Sequence, residues 1–137
     1  MKYIVLIYND PDLLGAVPQG EQDAMLRGCF AHVDHLSRDG HPVESRMLAE
    51  ANTAKSIRVR DGRVTTVDGP FAEAKEVLGG FNLIEAENMD EAVRIASEFP
   101  WARTGCVEVR AVQDLDAVRQ RVGAPAAPER ATAGAAA

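Results

Sequence analysis

The sequence predicts an α+β domain with a ferredoxin-like, split βαβ fold and an inserted β-hairpin. The first observation is the order of the predicted elements, which reads β-α-β-β-α-β once the hairpin is set aside. The second is the opening strand, Tyr3 to Tyr8, which is apolar at every position and is therefore typical of a strand buried on both faces. The third is Asp61-Gly62, a turn signal that predicts the hairpin.

The N-terminal half continues with a loop, a long helix and a strand. Residues 9–20 contain Pro11, Pro18 and two glycines, which predicts a loop. A helix is predicted from Glu21 to Arg38, ending at Asp39-Gly40. Its apolar face at helical spacing is formed by Leu26, Cys29, Phe30, Val33 and Leu36. The next strand is predicted over Val43 to Leu48.

The C-terminal half holds four strands and a second helix. The strands are predicted over Lys55–Arg60, Arg63–Val67, Phe81–Ala86 and Cys106–Val112. Asn88 predicts the cap of the second helix, with Glu91 in the capping-box position, and Pro100 ends it. Its buried face is predicted to comprise Ala92, Val93, Ala96 and Phe99. Arginines around the hairpin tip predict a solvated edge that resists strand-to-strand aggregation.

The predicted fold leaves one face of its sheet uncovered. Both helices lie on the same face, whereas the opening strand is apolar on both faces. A second copy of the chain, packed sheet to sheet about a two-fold axis, would bury the other face. The sequence therefore predicts a homodimer.

One domain accounts for most of the chain. We expect a folded domain over residues 1–113, a short helix over 114–122 and a disordered tail over 123–137. The tail is mainly Ala, Pro and Gly, which bury too little surface to offset the entropy lost on ordering.

The composition excludes two classes of partner. A net charge of −6 argues against nucleic acid, which requires clustered Lys and Arg. No run of about 18 apolar residues is present, so no membrane partner is expected. The two cysteines are far apart and lack a CxxC motif, which argues against a zinc site or a redox pair. Both have apolar neighbours in the sequence, so we expect small buried side chains. A reducing, cytoplasmic location is the default for such a chain.

The segment from Val64 to Gly80 carries the candidate site. Asp68-Gly69-Pro70 predicts a sharply directed turn, and the residues after it combine carboxylates, an ammonium group and an aromatic ring, which a turn alone does not require. The candidates are Asp68 as a catalytic residue and, as ligand-binding residues, Pro70, Phe71, Glu73 and Lys75.

These candidates also have structural interpretations. Asp68, shielded by Phe71 at a strand end, would suit a general base, but it also fits an Asx turn that holds Gly69-Pro70. The charged side chains of Glu73 and Lys75 could bind a ligand or form a solvated turn.

The last strand supplies further ligand-binding candidates. Glu108 and Arg110 alternate with valines, so they face the predicted partner subunit if the valines face the helices. Charges placed there need either a ligand or an interface ion pair. Arginine can grip a carboxylate or phosphate through two hydrogen bonds. Tyr8, at the end of the first strand, would present its hydroxyl group to the same cavity.

We expect neither a metal nor a cofactor. His32 and His35 are neighbours on one helix, but no third ligand accompanies them. The sequence contains no Walker loop, GxGxxG or HExxH motif.

Several segments resemble the DGPF-domain proteins of the YCII-related family. They are YIVLIY at residues 3–8, VDGPFAEAKE at 67–76, GGF at 79–81, DEA at 90–92 and VEVR at 107–110. The resemblance implies a dimeric α/β-barrel-like ferredoxin fold and a family without an established reaction. Some members have been proposed as enzymes because a His and an Asp lie together in the cleft. Members also occur near, or fused to, transcription-related proteins.

This chain departs from the family pattern at several positions. Cys29 stands where the family has its His, so the His-Asp pair is not carried over. Ala74 and Ala111 replace a small polar residue and a proline, and residues 49–52 lack the usual proline-rich turn.

Two functions are compatible with these observations. In the first, a cytoplasmic dimer binds a small polar or aromatic molecule in a cleft walled by the Asp68 turn and the strand of Glu108 and Arg110, with cofactor-free acid–base chemistry. In the second, the cleft only senses or carries a ligand, or the dimer serves a regulator as an interaction module. The missing His-Asp pair favours the second.

Overall fold

The computed structural model describes residues 1–70 and 74–129, which form two antiparallel sheets. The strands are β1 (Lys2–Asn9), β2 (Glu44–Met47), β3 (Lys55–Arg60), β4 (Arg63–Asp68), β5 (Val77–Glu85) and β6 (Gly105–Ala111). One sheet has four strands in the order β2-β5-β1-β6, and β3 pairs with β4 in a separate hairpin. The predicted α+β, ferredoxin-like fold is confirmed.

Four α-helices accompany the strands in the described residues. They are α1 (Pro11–Gly15), α2 (Gln19–Arg38), α3 (Met89–Ser97) and α4 (Leu115–Val122), with short 3-10 helices at Ala51–Thr53 and Pro100–Arg103. Asn88 caps α3 by accepting a hydrogen bond from the Glu91 amide at 2.9 Å. Asp114 caps α4, which ends at Gly123 in the left-handed conformation. None of the described helices combines the length and apolar character that a membrane crossing requires.

The core lies between α2, α3 and one face of the four-stranded sheet. Alternate residues of β1 are buried against the helices, and Ile84 of β5 joins them. The cluster comprises Tyr3, Val5, Cys29, Leu36, Ile84, Ala86, Ala92, Ile95, Ala96 and Phe99. Because β1 is central and pairs with both β5 and β6, its side chains fix which face of each neighbour is buried.

The hairpin is closed by a two-residue turn. Asp61 has φ 52° and Gly62 has φ 72°, the left-handed values that a tight hairpin turn requires. The turn fixes the register so that Arg60 pairs with Arg63 and Lys55 pairs with Asp68.

Some local expectations were wrong. Residues 9–20 are not only a loop, because Asp10 caps α1 with Pro11 at its start. Phe30 and Val93 are exposed. Each directly follows a buried residue of its helix, Cys29 or Ala92, and one step along a helix rotates a side chain by about 100°.

Two further expectations about the sheet were also wrong. Cys106 is exposed rather than buried. It alternates with Val107, whose side chain packs against the core, so Cys106 points to the other face of β6. The Gly79-Gly80 pair lies inside β5 rather than before it, next to the register shift opposite Ile7 and Tyr8.

Candidate functional site

The face of the four-stranded sheet opposite the helices is apolar at its centre. Side chains directly opposite each other on paired strands share a face, and the register places five half-buried apolar or aromatic residues together there. These residues, which we call the open face, are Ile4, Leu6, Tyr8, Phe81 and Leu83. None of these five residues belongs to the buried core cluster that contains Val5.

Charged pairs lie on both sides of the open face. On β6, Arg110 Nε lies 3.7 Å from Glu108 Oε2, and these residues pair in register with Ile4 and Leu6. On β2, Arg46 Nη2 lies 3.0 Å from Glu44 Oε1. The centre of the face is therefore apolar, and each flank carries one acid and one base.

Tyr8 and Cys106 lie at one end of the open face. The two residues pair in register across β1 and β6, so the half-buried phenol and the exposed thiol are neighbours on the same side of the sheet. The structure thus brings Tyr8, Glu108 and Arg110 onto one surface.

Asp68 lies on the hairpin, at the end of β4. Its side chain is 80% exposed and forms an ion pair with Lys55, its register partner on β3. The turn after it is held by the backbone, since the Gly69 amide donates to Ala54 O at 2.7 Å and Ser56 Oγ donates to Gly69 O at 2.7 Å. This arrangement is a fixed hairpin base with an accessible carboxylate.

Three other candidates follow Asp68 in the chain. Pro70 is exposed and lines a groove beside β3. Phe71 and Glu73 lie outside the described residues. The predicted shielding of Asp68 by Phe71 therefore stays a prediction.

Lys75 leads to a residue that the sequence interpretation missed. Its ammonium group lies 3.6 Å from Oδ2 of Asp10, whose side chain is only 5% exposed. The other carboxylate oxygen of Asp10 accepts a hydrogen bond from the Asp12 amide at 2.9 Å. The Asp-Pro-Asp sequence at residues 10–12 is a helix-start signal that would have identified Asp10 as a cap.

Unsatisfied polar atoms accompany Asp10 at the end of β1. Asn9 Oδ1 and Thr104 Oγ1 are buried and have no hydrogen-bond partner among the described residues. The Asp10 amide donates to the Thr104 carbonyl at 2.9 Å, which holds the two segments together. Buried oxygens of this kind are positions where a donor from water or a ligand is expected.

The side chains of His32 and Cys29 are buried. His32 is buried between α2 and α3, with Nε2 3.0 Å from Ile95 O and Nδ1 3.2 Å from Glu98 Oε2. Burial raises the pKa of the Cys29 thiol, and a hydrogen bond to Trp101 partly opposes that shift. Across residues 1–70 and 74–129, no three His, Cys, Asp or Glu side chains are grouped to hold a metal ion.

The arrangement offers recognition more directly than catalysis. The open face supplies an apolar surface, a phenol and a guanidinium group, which together suit an aromatic or carboxylate-bearing molecule. Asp68 is exposed and ion-paired, so the described surroundings do not give it the apolar environment typical of a buried general base.

Comparison with known proteins identifies the family. The model of the YCII-related domain matches residues 1–116. An uncharacterized protein of Rhizobium meliloti (strain 1021) is 35% identical over 112 residues, which cover 80% of this chain and 90% of that protein. The chain therefore belongs to the YCII-related family.

Proposed function

We propose that the protein is a homodimer that binds a small polar or aromatic molecule between the open faces of two copies. The observation that carries this proposal is the apolar centre of the open face, where Ile4, Leu6 and Phe81 lie on central strands of the sheet. An antiparallel sheet can leave one face to solvent, but that face is then normally polar. An apolar face therefore favours a covering partner.

The charges on the flanks favour a second copy of the same chain as that partner. Glu44 and Arg46 lie on one edge strand, and Glu108 and Arg110 lie on the other. A two-fold axis that lies parallel to the two sheets, midway between them, repeats both pairs, so the Arg of one copy can meet a Glu of the other. A charged side chain that the partner buries then still lies beside a side chain of opposite charge.

The ligand would lie along the open face, between Tyr8 at one end and Arg110, which pairs with Ile4, at the other. The phenol ring offers a stacking surface and a hydroxyl group, and Arg110 offers a planar fork of donors for a carboxylate or phosphate. The free thiols, buried Cys29 and exposed Cys106, fit a reducing compartment, and we place the dimer in the cytoplasm.

A catalytic form of the proposal uses Asp68 as a general base in cofactor-free chemistry. Its support is the position of Asp68 beside a turn that two hydrogen bonds at Gly69 hold, with a carboxylate that a substrate can reach. The ion pair with Lys55 favours a structural role instead, so we prefer the non-catalytic form. The association with regulators that the resemblance implies stays a prediction.

Ligand binding is tested by thermal unfolding in the presence of small aromatic acids and phosphate esters. A true ligand at one hundred times its Kd should stabilise the protein by about 2.7 kcal/mol. Arg110→Gln should remove most of that gain, whereas Arg38→Gln, at the exposed end of α2, should not. An equal response of the two variants would contradict the proposed position of the ligand.

The catalytic form is tested with the compound found in that screen. Asp68→Asn should leave its affinity unchanged and abolish its turnover if Asp68 is the base. Conversion of the compound at an equal rate by the wild type and the variant would exclude that role.

A further inference from the structure

We draw no further inference here: the strongest candidate, the exposed apolar face that Ile57, Val59 and Val64 form on the hairpin of β3 and β4, carries none because nothing in the described residues shows what covers it.

Discussion

The two sheets of this chain differ in what covers them. The four-stranded sheet has one face packed against α2 and α3, and Val5 and Ile84 are almost fully buried there. The hairpin of β3 and β4 has no buried residue, although its apolar face is formed by the same kinds of side chain. The open face of the larger sheet is intermediate, with half-buried side chains.

This difference in burial distinguishes the surfaces that stabilise the folded domain from the surfaces that remain exposed for partners. Burial between helices and sheet supplies the free energy of folding, because apolar area removed from water is its main source. The hairpin depends on its turn and on cross-strand pairs for its shape. Surfaces that contribute little to folding in one chain are then available for assembly and ligand binding.

The sharpest test of this difference compares isoleucines on the two sheets. Ile84→Ala should lower the free energy of unfolding by about 2–5 kcal/mol, because it leaves a cavity in the core. Ile57→Ala should lower it by less than about 1 kcal/mol. Both losses are measured by urea denaturation at protein concentrations low enough to dissociate any assembly. Similar losses would mean that the hairpin is part of the folding core.

Histidines on α2 provide a second, smaller comparison. His32→Ala should cost about 1–3 kcal/mol, since it leaves the Ile95 carbonyl and the Phe99 ring without their partner. His35 is exposed and pairs only with Asp39 of its own helix at 3.2 Å, so His35→Ala should change stability by about 0.5 kcal/mol or less. Equal costs in urea denaturation would contradict a role for His32 in joining α2 to α3.

The ion pair at the base of the hairpin should contribute still less. Asp68→Asn should change stability by less than about 1 kcal/mol, because Asp68 and Lys55 are both exposed to solvent. A double-mutant cycle with Lys55→Gln isolates the pair. A coupling well above that value would indicate that Asp68 has surroundings beyond those described.

Cys29 makes the stability of the folded chain depend on pH in the alkaline range. Burial raises the pKa of its thiol in the folded chain, so its contribution to stability is fully present below the ordinary value of 9.0 and is lost as pH rises through the folded pKa. Relative to Cys29→Ala, the wild type should lose stability above pH 9.0. A constant difference between the two at all pH values would contradict the burial of the thiol.

Much of the fold could be predicted from the sequence, because local signals and tertiary burial agree there. The apolar run of β1 identified the central strand, Asp61-Gly62 identified the hairpin, and Asn88 identified the start of α3. Phe30 and Val93 were misplaced because a helix pattern leaves its rotation about the axis uncertain, and packing against the sheet fixes it.

The candidate site could be predicted only in part. Alternation along β6 places Glu108 and Arg110 opposite the helices, and the same alternation would have placed Cys106 there. The approach of Lys75 to Asp10 joins residues that are far apart in sequence, so it depends on the complete fold. Asp68 lies on the exposed hairpin because its register partner, Lys55, is set by the turn and not by a core.

The central claim is that a second copy covers the open face, and the molar mass in solution tests it most directly. Multi-angle light scattering at micromolar concentration should give the wild type a mass at least twice that of the 14.8 kDa chain. Leu6→Glu, which places a charge at the centre of that face, should lower the mass by half or more while leaving the circular dichroism spectrum unchanged. A wild-type mass equal to that of one chain would contradict the claim.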